Sequence, residues 1–367
     1  MTKPIPFAVN RNDERTLLGQ VVDGFRGAII DGYYTAGDIL PSSYALVHSL
    51  GVSRIVTRAA FRKLSDEGFV IARPRVGTMV NARKAKRWRG HVAFICPDRE
   101  VGYFQTLFVD EIRNVLNEAG YHFTCAGVRM KPDRSCDFSI LDAMLSRSVS
   151  LAVSIYNRPQ IASYLLRRGI PFVTVCERVD TAAGSKGFTM FDHNLATAEF
   201  AAACASAGVG EVVQVGWLRE EICDASSALK AVGIRSTKIC LDPDLSTPML
   251  AAVERTGYDA FRRMVADGRL GRGQRPDTVY FISDDYLARG ALTAILQAGL
   301  RIPEDVRLAV WANKGLGPVY SRQFSRMEMD PSEAGRTVAD AVLGYLRDGE
   351  YPSGTVIGPK WIRGETF

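Results

Sequence analysis

The chain has 367 residues, of which 47% are hydrophobic and 23% are charged, so it is long enough for two or three domains with well-buried cores. Its formal net charge is +6, but residues 1–89 hold 15 lysines and arginines against 7 acidic residues, whereas the remainder is slightly acidic. This asymmetry predicts that the N-terminal part alone contacts a polyanion such as DNA.

The cysteine count and the absence of long apolar runs exclude several classes of protein. The seven cysteines are an odd number without a C-x-x-C pair, which favours reduced thiols in the cytoplasm over a disulfide framework or a zinc site. No apolar run approaches the roughly 20 residues of a membrane helix, and the N-terminus lacks a signal-peptide core. We therefore expect a cytoplasmic protein without a membrane partner.

The first predicted helix covers residues 16–31. Its apolar side chains recur at helical spacing, which indicates one buried face: Leu18, Val22, Phe25 and Ile29.

Two short helices and a hairpin are predicted next, between residues 37 and 80. Ser42 and Ser53 can each cap a helix N-terminus, and Gly51 can supply the left-handed residue that ends the first of the two helices. The run FVIAR, PRVG, TMVN then predicts a strand, a tip and a strand. Two closely spaced helices followed by a hairpin indicate a winged helix-turn-helix.

The second of these helices has two different faces. One is expected to pack inward: Thr57, Ala60, Phe61 and Leu64. On another face arginine recurs every four residues, at Arg54, Arg58 and Arg62. Such a stripe is more often only a solvated surface, but its place between a capped turn and a basic wing favours DNA contact. The candidate DNA-contacting residues are Ser53, Arg54, Ile55, Val56 and Arg58 on the helix, with Arg73 and Arg75 on the wing.

The segment from residue 17 to residue 80 resembles the DNA-binding domain of GntR-type bacterial transcription regulators. The resemblance is carried by GDILPS, LGVSR, the helix around residues 58–64, EGFV and GTMV. It implies contacts with double-stranded operator DNA and adds Tyr44 and Gly77 to the candidates. Tyr44 stands where the family often has a DNA-contacting arginine, and Arg75 where its wing usually has a first glycine. The operator sequence therefore cannot be carried over from the family.

A basic stretch follows the wing. We expect residues 83–89 to be a linker between a DNA-binding domain at 1–82 and a second domain at 90–367. A solvated tether and a segment that also grazes DNA are equally good interpretations of this stretch.

From residue 90 onward, strands alternate with helices in two successive series. This pattern predicts parallel sheets with helices on both faces and a cleft at the carboxyl ends of their strands. The fold class is thus α/β: an N-terminal winged helix-turn-helix plus a two-lobed domain of two doubly wound parallel sheets.

The second domain resembles the ligand-binding domain shared by LacI-type repressors and periplasmic sugar-binding proteins, a type I periplasmic-binding-protein fold. The likeness is carried by Tyr103-Phe104, PFVTVCER and ISDDYLARGALTAILQAGLRIPEDVRLAVW. It implies chain crossings between lobes near residues 191, 310 and 329. Lobe 1 would then hold residues 90–190 and 311–328, and lobe 2 residues 191–310 and 329–367, including a final helix from Pro331 to Gly349.

The same resemblance assigns residues to an effector cleft: Tyr103, Phe104, Glu177, Arg178, Ser283 and Asp284. Trp217 and Trp311 fall just past strand ends, where they could line the cleft or pack a lobe interface. Ser283 and Asp284 could equally serve as a helix N-cap.

Three anchors of sugar-binding relatives look altered in this chain. Glu221 stands where an arginine is usual, unless the alignment slips and Arg219 serves. Ala312 replaces an aspartate, and Met329 lies where a glutamine is frequent. We therefore expect a small polar effector, for which a sugar derivative is a better candidate than a simple pentose or hexose.

Enzymatic alternatives find little support in the sequence. Some GntR-type heads are fused to an aminotransferase-like domain that uses pyridoxal phosphate, but no lysine beyond residue 90 lies in a convincing cofactor motif. The four histidines lack metal-ligand spacing, and a phosphate-binding glycine-rich loop with its lysine is absent. We expect no catalysis, cofactor or metal. Two hypotheses remain: a homodimeric, effector-responsive transcription regulator, or a DNA-binding protein whose second domain only dimerises.

Overall fold

The computed structural model describes residues 3–367 except for residues 14, 75, 82–87, 98–101, 130, 132–134, 145–148, 156–158, 177–183, 218–223, 245–247, 274–276 and 353. The chain divides into two compact units. One comprises Met1–Val92, Leu116–Thr124 and Ser148–Ser150, and the other comprises Ala93–Val115, Cys125–Arg147 and Leu151–Phe367.

The N-terminal region forms three helices and a two-stranded hairpin. These are α1 (Leu17–Ile30), α2 (Ser43–Leu50), α3 (Arg54–Asp66), β1 (Val70–Arg73) and β2 (Gly77–Val80). Helices α2 and α3 begin at the predicted caps Ser42 and Ser53, and α1 begins at Thr16, since all three hydroxyls accept a hydrogen bond from a first-turn amide. Gly51 has φ 66°, the left-handed conformation that ends α2. The predicted winged helix-turn-helix is therefore present.

One aromatic side chain is central to the core of this domain. Phe25 on α1 is fully buried and contacts the rings of Phe7, Tyr34 and Phe61 at centroid distances of 5.1, 5.9 and 5.6 Å. Thr57, Ala60 and Leu64 on α3 are also fully buried and Phe61 is partly buried, as the helical spacing predicts. The opposite face of α3 is consequently left to solvent.

A charged clamp ties α1 to the end of α3. The Arg26 guanidinium donates hydrogen bonds to both carboxylate oxygens of Glu67, at 2.8 to 3.2 Å. The two side chains are both about 30% exposed, and the bidentate geometry constrains their orientation as well as their distance.

The second domain contains two six-stranded sheets. The first has the order β13-β7-β6-β5-β3-β4 and the second the order β14-β12-β11-β10-β8-β9. The first is built from β3 (Gly90–Pro97), β4 (Tyr121–Val128), β5 (Leu151–Ile155), β6 (Phe172–Cys176), β7 (Phe188–Phe191) and β13 (Val356–Ile357). The second is built from β8 (Glu211–Gly216), β9 (Arg235–Cys240), β10 (Thr278–Ile282), β11 (Arg307–Asn313), β12 (Ser325–Met329) and β14 (Lys360–Ile362).

Most strand pairs in these sheets are parallel, and the antiparallel edge strand β14 is an exception. Strands β5, β6 and β10 are buried at every residue, as expected for parallel strands that helices cover on both faces. The covering helices are α4 (Tyr103–Glu118), α5 (Ser139–Met144), α6 (Pro159–Arg167), α7 (Asn194–Ser206), α8 (Ser226–Ala231), α9 (Met249–Ala266), α10 (Asp285–Gln297) and α11 (Pro331–Asp348). No helix in the described ranges is both long and apolar enough to cross a bilayer.

The division between the lobes differs from the expected one. Strand β12 pairs in parallel with β11, so residues 311–328 extend the second sheet and are not part of the first lobe. The final helix α11 packs on α4 of the first lobe, where a Cβ on Gly335 would lie 2.6 Å from the Phe108 carbonyl oxygen and where Arg336 pairs with Glu111. Glycine at position 335 permits this approach, which the strand-and-helix alternation alone could not reveal.

Helices α9 and α10 approach each other closely at two glycines. A Cβ on Gly257 would lie 2.2 Å from the Leu287 carbonyl oxygen, and one on Gly290 would lie 1.9 Å from the Glu254 carbonyl oxygen. Backbone atoms cannot move aside as a flexible side chain can, so the two helices depend on the absence of side chains here.

We expect Gly290→Ala to lower the free energy of unfolding by at least about 1–3 kcal/mol, because the added methyl group forces α9 and α10 apart. Gly344→Ala in α11 is the matched control: its Cβ would meet Pro352 at an ordinary 3.7 Å, so it should be neutral or slightly stabilising. Urea denaturation measures both, and equal stability of the two variants would contradict the prediction.

Candidate functional site

The start of α3 presents the predicted DNA-contacting face. Ser53 caps the helix, and its hydroxyl accepts from the Val56 amide at 3.3 Å. Arg54 and Arg58 are exposed, and Ile55 is 80% exposed. An isolated aliphatic side chain beside arginines at a helix N-terminus suits a major groove, where it can contact thymine methyl groups.

The arginines of α3 and of the wing differ from Arg26 in their ion pairing. None of Arg54, Arg58, Arg62 and Arg73 forms an ion pair with a described residue, whereas Arg26 of the same domain is held by Glu67. Guanidinium groups without intramolecular partners are available to phosphates and to guanine edges without first breaking a salt bridge.

The remaining candidates differ in how accessible they are. Tyr44 is 62% exposed on α2 and lies against His48, with ring centroids 4.5 Å apart. Gly77 starts β2 opposite Arg73 with φ 117°. Val56 packs against the domain core and is only partly exposed, so its expected outward position is wrong in part. Arg75 lies outside the described residues.

A cavity of about 150 Å³ opens in the second domain. Its wall is built at the carboxyl ends of strands from both sheets, with Phe191 ending β7, Trp217 following β8, Asp284 following β10 and Asn313 ending β11. This is the edge at which open α/β sheets usually bind ligands.

Five of the predicted effector residues lie in the cavity wall: Tyr103, Phe104, Trp217, Asp284 and Trp311. Ser283 does not, because its hydroxyl is turned toward the neighbouring strand and donates to the Val215 carbonyl at 3.3 Å. Four further candidates, Glu177, Arg178, Arg219 and Glu221, lie outside the described residues.

Several residues of the cavity wall were not predicted from the sequence. Phe191 and His193 lie next to the predicted crossing near residue 191, and Asn313 is two residues past Trp311 on the same strand. That alternation places both β11 side chains on one face, a signal that could have identified Asn313. The other missed residues are Met249, Leu250, Val253, Tyr286 and Met329, with Gly102.

Aromatic rings shape one side of the cavity. Phe104 stacks on Phe108 at a centroid distance of 5.3 Å and lies 6.1 Å from Phe191. The Tyr103 hydroxyl donates to the Lys314 carbonyl at 3.2 Å, which joins the first turn of α4 to the loop after β11. These contacts hold the rings in place before any ligand binds.

Three polar atoms of the wall lack hydrogen-bond partners among the described residues: Trp311 Nε1, Asn313 Oδ1 and His193 Nε2. Burial lowers the pKa of His193, so its ring is neutral at physiological pH. An unpaired buried polar group costs about 1–3 kcal/mol. A ligand in the cavity could supply the missing partners.

Asp284 both caps a helix and lines the cavity. Its Oδ1 accepts from the amides of Tyr286 and Leu287 at 2.8 and 2.9 Å, so the two roles foreseen from the sequence coexist. Burial raises the pKa of this carboxyl despite these hydrogen bonds.

A second carboxylate, missed from the sequence, supports Asn313. Asp285 is 1% exposed, and it accepts from the Asn313 backbone amide at 2.9 and 3.1 Å and from Nδ2 at 2.6 Å. Burial, reinforced by the neighbouring Asp284, raises the pKa of Asp285 to about 7, while Arg289 and the Asn313 hydrogen bonds oppose the rise.

The raised pKa predicts a pH-dependent stability. The native state holds the Asp285 proton more tightly than the unfolded chain does, so this group favours folding below about pH 4 and loses that contribution as the pH rises to about 7. Asp285→Asn removes the buried charge, so the stability of the variant relative to wild type should increase between pH 4 and pH 8, by up to about 4 kcal/mol.

Thermal unfolding across this pH range measures the effect. Asp305→Asn is the control. Because Arg301 holds the pKa of Asp305 at about 2, this carboxyl stays ionised between pH 5 and pH 8, and the stability difference between the variant and wild type should stay constant over that range. A constant difference for Asp285→Asn as well would contradict the prediction.

Comparisons with known proteins agree with the two domains. A family model of bacterial regulatory proteins of the gntR family matches residues 17–80, and a model of periplasmic binding protein-like domains matches residues 222–367. The transcriptional regulator of pyridoxine biosynthesis PdxR from Corynebacterium glutamicum is 33% identical over 81 residues, which cover 22% of this chain and 18% of PdxR. The transcriptional regulator GalR from Streptococcus thermophilus is 24% identical over 148 residues, which cover 39% of this chain and 43% of GalR.

The fold of the second domain also recurs in solved structures. A LacI family transcriptional regulator from Arthrobacter sp. FB24, solved in complex with lactose, superimposes with a TM-score of 0.58 over 76% of this chain and 99% of that one, at 17% identity. The matches to the two curated relatives span less than half of the length of each relative. Residues 17–80 thus match the bacterial gntR regulatory family, and residues 222–367 match periplasmic binding protein-like domains.

Proposed function

We propose that the protein is a transcription regulator that binds double-stranded operator DNA through the winged helix and responds to a small effector in the cavity of the second domain. The observation that carries the proposal is the start of α3, where exposed arginines without ion-pair partners flank an exposed isoleucine. No enzymatic step is part of this proposal.

The cavity supports the regulatory half of the proposal. Unpartnered polar atoms in its wall favour a ligand-binding role over a domain that serves only for dimerisation. The Tyr103 hydroxyl and the Lys314 carbonyl link α4 to the loop after β11, so a ligand that changes the separation of the lobes would strengthen or break this contact. The effector can shift DNA affinity only as far as it prefers one of the two states.

A homodimer follows from the mode of DNA binding. Helix-turn-helix proteins commonly bind as dimers to two half-sites about one helical turn apart, and one α3 presents a short reading surface. We therefore propose that two copies of this chain read an operator with approximate two-fold symmetry.

Arg54→Ala should weaken binding to a cognate duplex by about 1–3 kcal/mol if the guanidinium reads a base. The duplex is selected from a library of random sequences with the full-length wild-type protein, and affinity is measured by fluorescence anisotropy at fixed salt concentration. Arg235→Ala, an exposed arginine on β9, is the control and should retain wild-type affinity.

Two results would contradict the proposal. Selection that yields no enriched sequence would remove the operator-reading function, and unchanged affinity of the Arg54 variant would remove this residue from the interface.

A further inference from the structure

We propose that the ligand of the cavity is a compact, planar molecule without a negative charge and with at least one hydrogen-bond donor and one acceptor, such as an aromatic amide or a heterocyclic lactam. The inference rests on the ligand-binding half of the proposed function. It narrows the chemical class of the ligand and disfavours polyhydroxylated and anionic molecules.

The hydrogen-bond requirement comes from β11. Trp311 and Asn313 are each more than nine-tenths buried, lie on the same face of the strand and both line the cavity. The indole Nε1 of Trp311 can only donate, so a ligand that pairs with it must carry an acceptor.

Asp285 determines which atom of the Asn313 side chain is available to a ligand. Asp285 accepts hydrogen bonds from the Asn313 backbone amide with both carboxylate oxygens and from Asn313 Nδ2 at 2.6 Å. This contact fixes the orientation of the amide and leaves Oδ1, an acceptor, as the unpartnered atom. The ligand must therefore bring a donor as well, and Asp285 acts as a positioning residue that sets this preference.

The shape requirement comes from the rings around the cavity. Six aromatic residues of the described wall line it: Tyr103, Phe104, Phe191, Trp217, Tyr286 and Trp311. A space of about 150 Å³ suits a molecule of one or two rings, and aromatic walls contact a flat ring over its whole face.

The charge requirement comes from Asp284. Among the described wall residues it is the one acidic side chain, and burial raises the pKa of its carboxyl. This carboxyl cannot neutralise an anion, and it would repel one when ionised.

Polyols are disfavoured because each buried hydroxyl needs its own partner. Among the described wall residues, Met249, Leu250, Val253 and Met329 have no side chain suited to a hydroxyl.

Three matched probes test the class on the full-length protein. Nicotinamide is the uncharged planar amide, nicotinate its anionic counterpart and galactose the polyol. Each is titrated while tryptophan fluorescence and the melting temperature are recorded. We expect saturable binding of nicotinamide, with at least about tenfold weaker binding of the other two.

A variant identifies the donor. Trp311→Phe keeps an aromatic ring and removes the N–H group, so it should reduce the preference for nicotinamide over 3-methylpyridine, which has a methyl group in place of the amide. If Trp311 had a purely structural role, the variant would lose affinity for both probes by the same factor. Trp361→Phe, on β14 against Phe200 and outside the cavity wall, should change neither affinity.

The outcomes separate this inference from the proposed function. Tighter binding of galactose or nicotinate would overturn the ligand class and leave effector binding intact. Absence of saturable nicotinamide binding would also overturn it. Neither result bears on operator binding by the winged helix. That function is tested separately, by the selection from random sequences and by the anisotropy assay.

Discussion

Parallel strand pairing is the constraint on which the second domain depends. Because neighbouring strands such as β8, β10 and β11 run in the same direction, all their carboxyl ends meet at one edge of the sheet. Side chains distant in sequence, such as Trp217 and Asn313, are brought to one cavity by this rule alone. The helices that cover the sheet keep the strands buried, and close contacts such as that of α9 with α10 keep those helices at a fixed distance.

Local signals in the sequence were sufficient for the winged helix. Caps at Ser42 and Ser53 and the turn at Gly51 depend on a few neighbouring residues, so their pattern is visible without tertiary information. The expected placement of residues 311–328 in the first lobe depended on pairings between distant segments, and β12 pairs instead with β11 of the second sheet. The likeness to known folds located the cavity edge, but it did not reveal Asn313 or the carboxylate of Asp285 that orients it.

The polar groups of the two candidate sites differ in their exposure to water. On α3 the arginines remain in water and keep their full hydrogen-bonding capacity until DNA arrives. In the cavity, Trp311 and Asn313 have already lost their contact with water and lack partners at one atom each. Binding at the first site is therefore expected to be governed by salt concentration, and binding at the second by the fit of hydrogen bonds and ring faces.

The clamp between Arg26 and Glu67 has a consequence for how DNA is recognised. It fixes the last turn of α3 to α1, while the Ser53 cap satisfies a free amide of the first turn and keeps that turn helical. A reading element that is already rigid loses little conformational entropy when it enters a groove. The domain is thus built to meet DNA as a preformed body, and in the proposed dimer the distance between two such bodies becomes the variable that an effector can adjust.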